Sequence, residues 1–275
     1  HGRSSENGSD QTNEDTNYEI KYPGITNTLI IPYEVSMKNP DTNSMEKYTI
    51  TEVCLAVRDK RANDACTTLP SIENIIYPNT ITKMYSHVYG QNDDGPLDDP
   101  KPYYDQNSNY CYYVMGADHN LKKVVLSENI EEIPIAFFNT SEESREKGYN
   151  GVDSIKIPSK VKKIGNAAFE GCTKLTEIDL KNVTKVGYAA FLECTGLTKI
   201  NLENVTEIGY NTFKGCTSLP EIDLSKVTKL GYYVFEGWTS NQKIKVPFAS
   251  TDSLPSGWDS DWNKYCNAQI IYTDS

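Results

Sequence analysis

The chain has 275 residues, 37% of them hydrophobic, with Lys+Arg 27 against Asp+Glu 38 and a formal net charge of −11. That apolar content is enough to bury a sizeable core. The acidic balance disfavours nonspecific attraction to nucleic acid or anionic lipid, and no run of 18 apolar residues supplies a membrane-spanning helix.

The chain opens on His1 rather than Met, so any signal peptide or lipid-anchoring cysteine is expected upstream. Residues 1–17 are rich in Ser, Asn, Gly and acids, lack the apolar content for a core, and read as a flexible tether. Residues 18–60 read as an N-terminal cap with a first degenerate coil. Thr28-Leu-Ile-Ile-Pro32 is a strand stopped by proline, Asn39-Pro40-Asp41 a polar turn, and Tyr48-Thr-Ile50-Thr-Glu-Val53 a second strand.

A repeat organises the segment 61–246. Phe169, Phe191, Phe213 and Phe235 stand 22 apart, as do Cys172, Cys194 and Cys216, with Trp238 in the next place of the cysteine series. Gly165, Gly187, Gly209 and Gly231 keep the same register, and so do Val161, Val183, Val205 and Val227. A fixed period of this length marks a solenoid, in which each coil buries its apolar face only against its neighbours.

Within one unit, Ile178 and Leu180 alternate with polar residues, the pattern of a strand with one buried face. A second short extended piece follows at 183–186, and Gly187 permits a sharp turn or close backbone approach. Ala189-Ala-Phe191 is expected to form a short helical or 3₁₀ turn whose Phe fills the interior. Two degenerate coils precede the regular ones, one on Ile72, Ile75, Tyr77, Ile81, Met84 and Tyr89, the other on Leu121, Val124, Leu126, Ile130, Ile133 and Phe138. About seven stacked coils result, interrupted by insertions at 91–120 and 140–150. Residues 247–275, with Trp258, Trp262 and the closing Ile270-Ile-Tyr272, read as a C-terminal cap.

The run Ile164-Gly165-Asn-Ala-Ala168-Phe169-Glu-Gly171-Cys172 resembles the BspA-like leucine-rich repeat. Val183, Val205 and Val227 stand where the common horseshoe subtypes carry Asn or Cys, which sets this chain apart from them. The resemblance implies an α+β repeat solenoid, mostly β with short helical or 3₁₀ turns and a parallel sheet on one face. It also implies a secreted or cell-surface bacterial protein, non-catalytic and without a cofactor, that attaches to extracellular proteins of host matrix or partner cells. A carbohydrate-binding protein and a structural spacer are the alternatives.

Two sets of residues are candidates for ligand contact. Tyr103, Tyr104, Tyr110, Tyr112 and Tyr113 crowd into the first insertion, behind the acidic run Asp93-Asp94-Gly95-Pro-Leu-Asp98-Asp99. Tyrosine joins apolar area to a polar tip and suits interfaces. The acidic run lacks the alternating ligands and closing Glu of an EF-hand loop, and reads as a plain acidic loop. The second set faces outward on successive strands: Glu177 and Asp179, Lys199 and Asn201, Glu221 and Asp223, then Lys243 and Lys245. Tyr188, Tyr210 and Tyr232 form a further ladder, an aromatic stripe if exposed and core if tucked in. The laddered cysteines read as small buried hydrophobes, with a Cys54–Cys66 bridge left open. His1, His87 and His119 lie outside any catalytic pattern, and no phosphate loop, dinucleotide fingerprint or metal-ligand spacing is present.

Overall fold

The computed structural model describes residues 28–38, 43–50, 52–54, 73–85, 120–140, 142–146, 148, 150–250 and 253–273. The tether 1–17, the three histidines, Cys66, the acidic run and the five tyrosines of the first insertion lie outside the described residues.

Most coils contribute two short strands, because two stretches per unit alternate or run apolar between polar turns, and Asn120–Leu121 with Gly151–Val152 makes a further parallel pair outside both rows. The first row holds Thr28–Ile30, Asn74–Ile76, Lys123–Val125, Glu177–Asp179, Lys199–Asn201, Glu221–Asp223, Lys243–Val246 and Gln269–Tyr272. The second row holds Glu52–Cys54, Lys83–Tyr85, Glu132–Ile133, Lys163–Ile164, Lys185–Val186, Glu207–Ile208 and Lys229–Leu230. Pairing within both rows is parallel, and the 22-residue period sets its register: Lys185 lies beside Glu207, and Glu207 beside Lys229. The extended piece at 183–186 thus builds a second sheet face in addition to the expected one. An antiparallel hairpin, Glu34–Lys38 with Met45–Thr49, stands near the start.

The first row is not continuous. Glu177–Asp179 pairs with Lys199–Asn201, and Glu221–Asp223 with Lys243–Val246, but these two pairs are not joined to each other. Thr198 donates its amide to the Thr176 carbonyl at 2.9 Å. One coil later the equivalent residue is Pro220, which has no N–H to offer Thr198.

The third corner is made of turns closed by i→i−3 bonds, the 3₁₀ type of the two turns expected, and not of a regular helix: Leu192 donates to the Ala189 carbonyl at 3.0 Å. Ala167, Ala189, Asn211 and Tyr233 take left-handed backbone angles, with φ of 53, 50, 55 and 53°. The amides that follow then alternate in direction. Those of Ala167, Phe169 and Gly171 each donate to the next coil at 2.8 Å, to the carbonyls of Tyr188, Ala190 and Leu192. Those of Ala168, Glu170 and Cys172 bond within their own coil. A helical turn would aim successive donors along its own axis and forfeit the bonds between coils. The α-helix among the described residues is Glu142–Glu146, in the second insertion.

Phenylalanines fill the interior. Phe138, Phe169, Phe191, Phe213 and Phe235 stack with centroids 5.2, 5.3, 5.7 and 6.1 Å apart, all fully buried. Phe137 closes one end edge-on at 4.8 Å, and Trp238 and Trp262 the other at 5.0 and 6.0 Å. Each buried Phe contributes about 1.5–3 kcal/mol by removal from water. Thr206 and Thr228 add a hydroxyl ladder, each Oγ1 donating at 3.2 Å to the carbonyl of the threonine one coil before.

The 253–273 segment continues the coils without repeating their sequence. Leu230 donates to the Gly257 carbonyl, Val234 to that of Trp262, and Gly237 to that of Tyr265, each at 3.1 Å. Gln269–Tyr272 pairs in parallel with Lys243–Val246.

Candidate binding surfaces

Strand alternation turns Ile178, Ile222 and Ile244 inward and displays their neighbours. Glu177, Asp179, Lys199, Glu221, Asp223, Lys243 and Lys245 are exposed, and Asn201 is half-buried. Register brings Glu177 beside Lys199 and Glu221 beside Lys243. Asn201 donates to Asp179 at 2.9 Å, and Lys245 to Asp223 at 2.9 Å. Burial pushes the Asp223 carboxyl up, but the Ser225 hydroxyl and amide and the Lys245 ammonium outweigh it and hold it below its usual value. The predicted outward set is therefore brought onto one face, in two groups divided by the break at Pro220.

Where the first row thins to an isolated bridge between Val124 and Ile155, an open groove of about 270 Å³ appears. Ile155, Ile157, Asp179, Lys181 and Asn182 line it with the ion pair Lys156–Glu128, 3.0 Å. The second row carries its own charge ladder. Lys163 pairs with Glu132 at 2.9 Å, and Glu207 with Lys185 at 3.3 Å and Lys229 at 3.2 Å. Exposed pairs of this kind are worth little individually.

Tyr188, Tyr210 and Tyr232 stand outside the core. Their rings stack at 4.8 and 4.7 Å, within 3 and 6° of parallel. Tyr232 is exposed and the other two half-buried. The sequence marked this ladder by its constant place after the glycine, but bulk and hydroxyl together suit either side of the wall. Tyr233 and Tyr265 extend it, with contacts of 5.1 and 5.6 Å, and no periodic signal announced them.

The laddered cysteines are interior, as expected. The thiols of Cys172, Cys194 and Cys216 donate at 3.1, 3.0 and 3.1 Å to the carbonyls of Phe138, Phe169 and Phe191. Burial pushes the Cys172 and Cys216 thiols up to about 12, and Cys194 well above its ordinary value. They are far from the thiolate state that nucleophilic or metal chemistry requires.

The second insertion is fastened to the coils by Arg145, which donates to the Thr140 carbonyl at 2.6 Å and to the Glu193 carboxylate. Glu193 sits at φ 56°, in the place where the neighbouring coils carry Gly171, Gly215 and Gly237 at 71, 76 and 84°. Beside it, burial pushes Glu170 up to about 7; Arg145 pulls the other way, Glu193 adds to the rise, and a 2.8 Å bond from Asn139 opposes it. Among the described residues no group of three or more His, Cys, Asp or Glu could hold a metal ion, and no helix is long and apolar enough to cross a membrane.

The chain is similar to several solved structures. A leucine-rich repeat protein from Bacteroides ovatus ATCC 8483 shares 17% identity at a TM-score of 0.38, over 74% of this chain and 56% of that one. The pneumococcal vaccine antigen PcpA shares 16% at 0.40, over 80% and 40%. A leucine rich cell surface protein from Faecalibacterium prausnitzii A2-165 shares 15% at 0.26, over 92% and 89%. The chain thus spans little more than half of the first of these proteins and two fifths of the second. No curated protein matches it. Residues 147–256 match the BspA type leucine rich repeat region in six copies. The repeats of residues 147–256 are thus of the BspA leucine-rich repeat type.

Proposed function

We propose that the chain is a secreted or cell-surface bacterial protein, non-catalytic, that binds other extracellular proteins through its first-row face. The observation that supports this reading most is the register of that face. Glu177 and Asp179 pair residue for residue with Lys199 and Asn201, and Glu221 and Asp223 with Lys243 and Lys245, so the charges hold fixed spacings within each of two groups. An alternating charge pattern selects partners by complementarity and penalises mismatched ones. The division into tether 1–17, cap with first coil 18–60, solenoid 61–246 and cap 247–275 belongs to the same proposal. So does a second contact set at Tyr103, Tyr104, Tyr110, Tyr112 and Tyr113.

The test is a screen of the purified chain against arrayed extracellular-matrix proteins and glycans, beside the double variant Glu177→Lys, Glu221→Lys. Protein hits that the double variant loses, with its circular dichroism unchanged, support the reading. Hits on glycans alone, lost when Tyr103, Tyr104 and Tyr112 become Ala, replace it with a carbohydrate-binding role. Silence on both arrays leaves a structural spacer.

A further inference from the structure

The tyrosine row offers a second binding surface, on the flank after the second strand row. Its backbone is fixed by bonds between coils: Ala189 donates to the Tyr210 carbonyl at 2.9 Å, Asn211 to that of Tyr232 at 3.0 Å, and Tyr233 to that of Asp261 at 3.0 Å. Phenylalanines already fill the interior of this corner, so the tyrosines are not needed as core. Tyr232 is 37% exposed and Tyr265 65%. Rigid tyrosines with little rotamer freedom left to lose are efficient contact residues.

Three features narrow the partner. Charges around the row are paired among themselves: Lys185 and Lys229 with Glu207, Lys214 with Glu236 at 3.0 Å, and Lys264 with Asp261 at 3.0 Å. On a chain of net charge −11 this flank is close to neutral, which favours an uncharged ligand. Second, the sides of Tyr188, Tyr210 and Tyr232 that face one another are covered by the stack. A sugar ring packs against aromatic faces, so this stack offers it little. A phenol both donates and accepts, and so takes a further partner beside one it already holds.

The third feature is spacing. Two nearly parallel steps carry the row about 9.5 Å from Tyr188 to Tyr232. A polyproline II chain advances about 9.3 Å per three-residue turn and has no internal hydrogen bonds, so its carbonyls are open to outside donors. A β-strand repeats about every 6.6–6.8 Å and two turns of α-helix span about 10.8 Å; neither keeps step with the row.

We propose that the row Tyr188, Tyr210, Tyr232, prolonged by Tyr233 and Tyr265, docks an uncharged proline-rich polypeptide in the polyproline II conformation, lying along the solenoid. Such chains are bound by aromatic-lined surfaces because their conformation is already set and costs little entropy to hold. The surface is distinct from the first-row face, so either can fail without the other.

The experiment titrates the full chain with a peptide of about twelve prolines, four turns of that helix, against a Gly/Ser peptide of equal length, following tyrosine fluorescence and calorimetry. Saturable binding of the proline peptide alone is expected. Tyr265→Ala, at the exposed end of the row, and Tyr210→Ala should weaken it by about tenfold or more, and Tyr210→Phe by less. Glu177→Lys with Glu221→Lys should leave it unchanged. No saturation, equal binding of the Gly/Ser peptide, or full affinity in Tyr265→Ala and a folded Tyr210→Ala overturns the proposal. So does binding of neutral oligosaccharides at these tyrosines in place of the peptide.

Discussion

The indole Nε1 of Trp238 donates to the carbonyl of Phe213 at 2.9 Å, the bond that the Cys216 thiol makes to Phe191 one coil earlier. A thiol and an indole share little in size, but both bring one donor to the same carbonyl. The larger group appears where the regular coils end and more space must be filled. Trp238→Phe keeps most of the bulk and removes the donor. The Phe213 carbonyl keeps the bond it accepts from the Cys216 amide at 3.1 Å, so only the loss of one hydrogen bond is expected, about 0.5–1.5 kcal/mol, measured by urea denaturation.

Thiol chemistry separates the interior ladder from the rest. Cys172, Cys194 and Cys216 are fully buried with thiols held far above their ordinary range. Iodoacetamide at pH 8 is expected to leave these three unmodified in the folded chain and to alkylate all of them in denaturant. Peptide mass spectrometry reads the result.

Close approach of backbones makes one glycine irreplaceable, while another stands in open space. A Cβ on Gly209 would lie 2.4 Å from the Tyr188 nitrogen and 2.6 Å from its Cα, atoms fixed by the coil below. A Cβ on Gly237 would meet nothing nearer than the Gly215 nitrogen at 3.9 Å, leaving only the cost of φ +84°. Gly237→Ala should therefore cost about 1 kcal/mol, and Gly209→Ala about 3 kcal/mol or more. Paired thermal melts would show the order.

Glu170 sets a pH dependence with a definite sign. Its carboxyl titrates near 7 in the folded chain against an ordinary value of 4.5, so between those limits the folded state holds a proton that the unfolded state has released. Stability from this group is present below about pH 4.5 and falls as pH rises toward 7. Glu170→Gln mimics the protonated form and still accepts from Asn139. It should be more stable than the parent by about 1–3 kcal/mol at pH 8 and indistinguishable from it at about pH 4. A variant less stable than the parent at pH 8 would contradict the assignment.

Much of the fold is legible because the repeat names its own interior. Phe169, Phe191, Phe213 and Phe235 share one place, and a stack is the one arrangement that buries them all. Ile178 and the pair Val183, Val186 announce the two strand rows in the same way. The corner is harder to read, since Ala189-Ala190 favours helix in isolation and only the demand for amide donors between coils turns Ala189 left-handed. Pro220 was visible, yet its effect depends on knowing that Thr198 stands beside it. Glu193 looks like an ordinary exposed acid until the fold brings Arg145, 48 residues away in sequence, against it. Of the candidate surfaces, the first-row residues follow from alternation alone. The outward placing of the tyrosines does not, because tyrosine suits both environments.

The pairing of Val186 with Ile208, and of Ile208 with Leu230, has an evolutionary consequence. A cut after Val186 and a rejoining at Gly209 would remove one whole coil and leave the interior residues facing equivalent neighbours, while on the surface Lys185 would come beside Lys229 in place of Glu207. Duplication at the same point would insert one as smoothly. Recombination between repeats can thus lengthen or shorten the molecule in steps of 22 residues without a new core having to be selected. The distance between the two ends becomes heritable separately from the surfaces displayed between them.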